Sequence, residues 1–209
     1  MRLSIASPWL LTIGGIVFAL TFLSVVGLSQ TDLYLYVPNA ADGTVSVVDL
    51  RTNQPVAAIP VGEEAAHGIA VSPDGQTVWV GGSLFDVDWL SAISVVDTRT
   101  RQVVAVVSPG IGDASHFSFT PDGQEAWIAS VTNNLLWVVD TQTYAVRVIP
   151  IIQPFTAPVT PEGVKGLIGF NEVAVGPDGR RIYAISPETG VLYDLEAKTG
   201  RLIRTAQVG

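Results

Sequence analysis

The sequence predicts an all-β protein: about four units of four-stranded antiparallel sheet, preceded by one apolar helix. Three observations predict it. Pro-Asp-Gly recurs at Pro73-Asp74-Gly75, Pro121-Asp122-Gly123 and Pro177-Asp178-Gly179. An aromatic residue stands six positions after each of these prolines: Trp79, Trp127 and Tyr183. Around each turn, bulky apolar residues alternate with small or polar ones at a period of two, as in a strand.

Composition narrows the classes. The chain has 209 residues, 48% hydrophobic and 14% charged, which excludes general disorder. A net charge of −8 with no basic face argues against a nucleic-acid partner. There is no Cys, so disulfides, thiolate metal sites, Cys nucleophiles and thioether-linked haem are excluded. Two His leave little for a multi-histidine metal centre.

The first element is residues 1–31. After Arg2 no charge occurs until Asp32, and 9–28 is apolar apart from Thr, Ser and Gly. Twenty helical residues cover ~30 Å, the hydrocarbon thickness of a bilayer. The segment reads as an uncleaved membrane anchor, with a signal peptide cleaved after Ser29 as the alternative. Either exports the remainder, and the single basic residue, Arg2, keeps the N-terminus cytoplasmic.

The repeat fills 32–209. Its four units are about 33–62, 67–110, 115–151 and 171–209. A full unit, such as the second, holds strands A (GIAVS), B (TVWVGG), C (AISVVD) and D (QVVAVV). In the turn from A to B, Pro presets φ and Gly supplies φ > 0. The acids that close strand C are Asp49, Asp97, Asp140 and Asp194, spaced 48, 43 and 54 apart. Three of them open an Asp-x-x-Thr turn, which side-chain-to-backbone hydrogen bonds would tie. Sheets repeated at a period in the forties are the blades of a β-propeller. Strands B, C and D occur four times and A three times, the first unit starting at B. The ring is therefore expected to be open: a piece of a longer ring, or a crescent that a partner completes.

The stretch LYVPNAADGTVSVVDLRTNQPVAAIPVGEEAAHGIAVSPDGQTVWVGG (35–82) resembles the YVTN-type β-propeller repeat, and the resemblance extends over 33–209. It implies rings of seven or eight blades. It also implies kinship with exported surface-layer propellers, haem-domain propellers and lactonase-like propellers, among which fold does not choose.

A site, if present, belongs on the face made by the B–C and D–A loops, because the A–B and C–D turns are uniform. The candidates there are His67, Asp86, Asp88, Trp89, Asp113, His116, Asn133, Asn134, Lys165, Asn171 and Glu172. The expanded loop 83–91 holds Asp86, Asp88 and Trp89, and the long connection 153–172 holds Lys165 and Asn171. His67 lies six residues before its turn proline and His116 five. Simple alternation then puts them on opposite faces, against a shared metal or haem. Asp86 and Asp88 alone fall short of the oxygens calcium wants. No catalytic residue, metal ligand or cofactor is predicted, with haem or calcium left as alternatives. No Ser-His-Asp grouping, phosphate loop or HExxH motif occurs.

The expected function is an exported, membrane-anchored propeller in the cell envelope. It would be non-enzymatic and bind a protein or small ligand on the irregular face. The alternative is a periplasmic propeller enzyme or redox protein, haem- or quinone-linked or lactonase-like.

Overall fold

The computed structural model describes residues 33–62, 65–84, 90–131, 133–151, 169–170, 172–186 and 189–208; the side chains of 65–67, 83 and 84 are not included. The predicted helix at 9–28 lies outside these residues. Fifteen strands and no helix occur among the described residues. The chain is all-β there, as expected.

The strands form four antiparallel sheets in chain order. Sheet I contains β1 (Tyr34–Asn39), β2 (Thr44–Asp49) and β3 (Gln54–Pro60). Sheet II contains β4 (Ala65–Val71), β5 (Thr77–Leu84), β6 (Leu90–Asp97) and β7 (Gln102–Val107). Sheet III contains β8 (Ala114–Phe119), β9 (Glu125–Ser130), β10 (Leu135–Asp140) and β11 (Val146–Pro150). Sheet IV contains β12 (Glu172–Val175), β13 (Arg181–Ser186), β14 (Val191–Glu196) and β15 (Leu202–Gln207). Each sheet is a meander whose neighbours in sequence pair, and among the described residues sheet I has three strands with β1 at its edge. This arrangement agrees with a propeller-like fold.

The A–B turns are built alike. Gly75 sits at φ 71° and donates its N–H to the Ser72 carbonyl at 2.8 Å. The Asp74 carboxylate accepts from the Ser72 hydroxyl at 2.6 Å and the Gln76 N–H at 3.0 Å. Thr120, Asp122 and Gln124 repeat this at 2.6 and 3.1 Å. Gly176 replaces the hydroxyl residue in sheet IV, and Asp178 keeps only the Arg180 N–H, at 3.0 Å. The C–D turns are tied as expected: Asp97 accepts from the Thr100 N–H at 2.6 Å, and Asp140 from the Thr143 N–H at 2.7 Å.

The fourth closing acid needs correction. Asp49, Asp97 and Asp140 pair with Tyr34, Thr77 and Glu125 at the start of strand B, and in sheet IV the residue so paired is Glu196, opposite Arg181. Asp194 lies two residues earlier, opposite Tyr183, where the other sheets have Val47, Val95 and Val138. Spacing alone misled because Glu replaces Asp at the closing position.

Period-two alternation gives every sheet two apolar faces, and three clusters fill the gaps between successive sheets. Val45 and Val47 of sheet I meet Val78, Val80 and Val96 of sheet II. Trp79, Ile93 and Val95 of sheet II meet Ala126, Ile128, Trp137 and Val139 of sheet III. Trp127, Leu136 and Val138 of sheet III meet Ile182, Ala184, Tyr193 and Leu195 of sheet IV. The strand-B aromatics occupy matching places: Tyr36, Trp79, Trp127 and Tyr183 pair with Val47, Val95, Val138 and Asp194 on strand C. The Trp79 ring meets Phe119 edge-on at 5.7 Å, and Trp127 donates its indole N–H to Glu125 at 3.2 Å.

Trp127 is fully buried. Trp127→Ala is expected to lower the unfolding free energy by ~3–5 kcal/mol in denaturant titration, as for other buried aromatic truncations. Arg181 and Arg204 hydrogen-bond Asp194 at 2.5–2.8 Å, and chiefly through Arg181 they hold its carboxyl down at about 2. A depressed acid stabilises the fold above its unfolded value of ~3.9 and loses that contribution as pH falls. Asp194→Asn should therefore be less stable than the parent above ~pH 4, with the gap in melting temperature narrowing toward pH 2.

Candidate functional site

The irregular end of the sheets is where strands A begin. Two β-bulges shape it. In sheet II the β4–β5 register shifts between Ala65 and Gly68, and in sheet III the β8–β9 register shifts between Ala114 and His116. A bulge adds a residue to one strand and breaks the alternation of its side chains. Between His116 and its turn the β8 register is regular, but His67 lies inside the shifted stretch of β4, so simple alternation does not fix the parity of the two histidines. His67 belongs to β4, but its side chain lies outside the described residues, so the expected absence of a shared site is not decided.

Counting back from the turn prolines, Gly68, His116 and Glu172 hold matching places on β4, β8 and β12. A β-carbon at Gly68 would collide with the Ser115 carbonyl, so only glycine permits that approach of the sheets. On the next pair of strands the place is polar: His116 Nε2 lies 3.3 Å from Glu172 Oε1. Both side chains are exposed, at 44% and 59%, so this pair is a solvated contact rather than a buried charge. The His116 Nδ1 atom is itself buried and makes no hydrogen bond among the described residues.

The other described candidates brace loops. The Asn133 side-chain amide donates to the Ile111 carbonyl at 2.6 Å, joining the B–C loop of sheet III to the connection before β8. Asp113 is buried, and its carbonyl accepts the Val131 N–H at 3.1 Å. The Asn134 carbonyl accepts from Ile151 at 2.9 Å. The structure therefore brings His116 to Glu172, and Asn133 and Asp113 to the same loop pair. Asp86, Asp88, Trp89, Lys165 and Asn171 lie outside the described residues.

The end of the long connection has a structural task. Phe170 is fully buried against Tyr193, with ring centroids 5.2 Å apart and planes perpendicular, and its N–H donates to the Ser130 carbonyl at 2.9 Å.

Ser130 and Ser186 were missed by sequence reasoning. They end β9 and β13, are fully buried, and their hydroxyls find no partner among the described residues. The signal was visible as a small polar residue ending strand B in two units. On the opposite end, a groove of about 520 Å³ runs between the turns at Pro73–Thr77 and Pro121–Gln124. Its carboxylates, Asp74 and Asp122, are both lowered by the hydrogen bonds of their own turns, first those from Ser72 and Thr120. They hold the turns and are not free for a ligand.

The His116–Glu172 pair, being exposed, should contribute little. Glu172→Gln is expected to change stability by less than ~1 kcal/mol, measured by denaturant titration at neutral pH.

No family model matches the chain, and no curated protein matches it. Among solved structures it is similar to a chain of Kuenenia stuttgartiensis hydrazine synthase, with a TM-score of 0.68 and 24% sequence identity. The match covers 84% of this chain and 46% of that one, so this chain spans less than half the length of its neighbour. At that identity the likeness is one of fold alone.

Proposed function

We propose that the chain is an exported, membrane-anchored β-propeller of the YVTN type, a binding or scaffold protein that uses its irregular loop face. The four sheets would be successive blades of a ring that they do not close by themselves. The apolar segment 9–28 would hold the protein in the membrane, with the sheets periplasmic or extracellular.

One observation carries the binding face. The two ends of the sheets are chemically different. At one end, nearly identical turns consume their own carboxylates and hydroxyls. At the other, matching places hold different residues, Gly68, His116 and Glu172, with buried hydroxyls beside them. Variation at equivalent positions of a repeat is what a site grafted on a scaffold requires.

The enzymatic alternative rests on His116, whose Nδ1 has no hydrogen-bond partner among the described residues, and on a structural neighbour that is named as a synthase. Among the described residues no three His, Asp or Glu side chains converge where a metal ion could sit.

Two measurements test the proposal. A phosphatase reporter fused after Val208 should be active only outside the cytoplasm, and the chain should stay with membranes in alkaline carbonate. Carbonate release would favour the cleaved, secreted form. For the binding face, a thermal-shift screen of the full chain against sugars, peptides and anions should find stabilising ligands. Such a ligand should slow amide exchange at 111–116 and 131–134 and leave 72–77 and 120–125 unchanged. Protection confined to the turn end would sink the assignment.

A further inference from the structure

Each sheet has a forward face, which meets the next sheet in the chain, and a backward face, which meets the one before. The three junctions show what each kind of face looks like. Forward faces carry the strand-B aromatic and two apolar residues of strand C: Tyr36 with Val45 and Val47, Trp79 with Ile93 and Val95, Trp127 with Leu136 and Val138. Backward faces carry the alternate residues: Val78, Val80 and Val96, then Ala126, Ile128 and Val139, then Ile182, Ala184 and Leu195.

Two faces have no partner among the described residues, and they are of opposite kinds. Sheet IV has a free forward face with Tyr183, Ile185 and Leu192 half-buried on it. Sheet I has a free backward face with Leu35 and Val37 on β1 and Ser46 and Val48 on β2. Leu35 is 48% exposed, while its counterpart at the covered junction, Val78, is fully buried. By register, Leu35, Val37, Ser46 and Val48 stand where sheet II presents Val78, Val80, Ser94 and Val96 to sheet I.

A second feature matches the two. Each C–D turn ends in a residue with positive φ: Asn53 at 54°, Arg101 at 58°, Tyr144 at 59° and Gly200 at 71°. The last three reach back to the preceding sheet. Arg101 stacks its guanidinium 4.9 Å from the Tyr34 ring centroid. Tyr144 lies 6.0 Å from Trp79 between ring centroids. Gly200 leaves no room for a β-carbon beside Ile149. Asn53 is exposed, with no preceding sheet among the described residues. The places matching Tyr34, Trp79 and Ile149 on sheet IV are Arg181, Tyr183 and Ala206. There a hollow of about 320 Å³ is lined by Tyr183, Leu192, Asp194, Arg204, Thr205 and Ala206.

Charge decides the partner face. The free face of sheet IV carries Arg181 and Arg204 around Asp194, with Glu196 opposite Arg181, so pairing it with itself would bury charged side chains from both copies. The free face of sheet I carries no charged side chain at those four positions, and the Asn53 amide offers both a donor and an acceptor at the polar corner.

We propose that sheet IV of one chain receives sheet I of a second copy, head to tail, with Asn53 of the second copy set in the hollow beside Tyr183. Both complementary faces lie on one chain, the condition for heterologous association, and two copies close a ring when their rotation permits.

The absence of cysteine makes the test direct. Asn53→Cys and Tyr183→Cys are made singly in the full chain, co-expressed, and treated with a short bis-maleimide. The mixture should give a cross-linked band at twice 22.1 kDa on a denaturing gel, and neither variant alone should. Sedimentation in density-matched detergent should give two or more chains per particle, falling to one for Leu35→Asp with an unchanged far-ultraviolet spectrum. Three outcomes overturn the proposal: a single-chain particle for the unsubstituted protein, cross-linking of either variant alone as strong as in the mixture, or an assembly indifferent to Leu35→Asp.

Discussion

A sheet that is apolar on both faces cannot rest on one neighbour; it must be covered twice. That constraint organises this protein. Val78 and Val80 of β5 point to sheet I while Trp79 between them points to sheet III, and β9 and β10 divide their side chains between two clusters in the same way. Apolar burial is worth roughly 25 cal/mol per Å², so a bare face of this kind is costly. Serial stacking of sheets follows, and with it quasi-equivalent contacts from one junction to the next.

The same stacking explains why the two ends differ. Strands A and B are joined by a turn that must be tight. Pro, Asp and Gly meet that demand locally, and the carboxylates are absorbed in doing so. Connections from one sheet to the next must instead cross a gap and differ in length. They are fastened by individual contacts such as Asn133 on Ile111 and Phe170 on Tyr193. Chemical variety therefore collects at the connection end, around His116 and Glu172.

Asp194 is the clearest departure from the repeat. At the matching places a valine faces the next sheet; here a buried carboxylate is held between Arg181 and Arg204. A buried acid persists only when it is paired and hydrogen-bonded, and these two arginines satisfy that requirement. Sheet III has a related cluster, in which Glu125 accepts from Trp127 and from Arg147, the latter at 3.0 Å, and it lies beside the junction with sheet IV. The Asp194 cluster fits a surface that another sheet covers.

Much of the fold was legible in the sequence because its causes are local. The Pro-Asp-Gly turns, the Asp-x-x-Thr turns and the six-residue offset to Trp79, Trp127 and Tyr183 each depend on a few adjacent residues, so order and pairing of the strands could be read directly. The candidate site was legible only as an end of the molecule. The β-bulges at 65–68 and 114–116 lie where adjacent sheets approach closely, Gly68 against Ser115, and no local pattern announces them. The partners of Asp194 lie ten and thirteen residues away on two neighbouring strands, so its identity as a cross-strand ion cluster needed the register. The sequence by itself determined what each strand and turn would be, since backbone preference and alternation act over a few residues. Tertiary structure alone decided which side chains meet, because contacts between sheets depend on register and approach, which are set by packing over the whole stack.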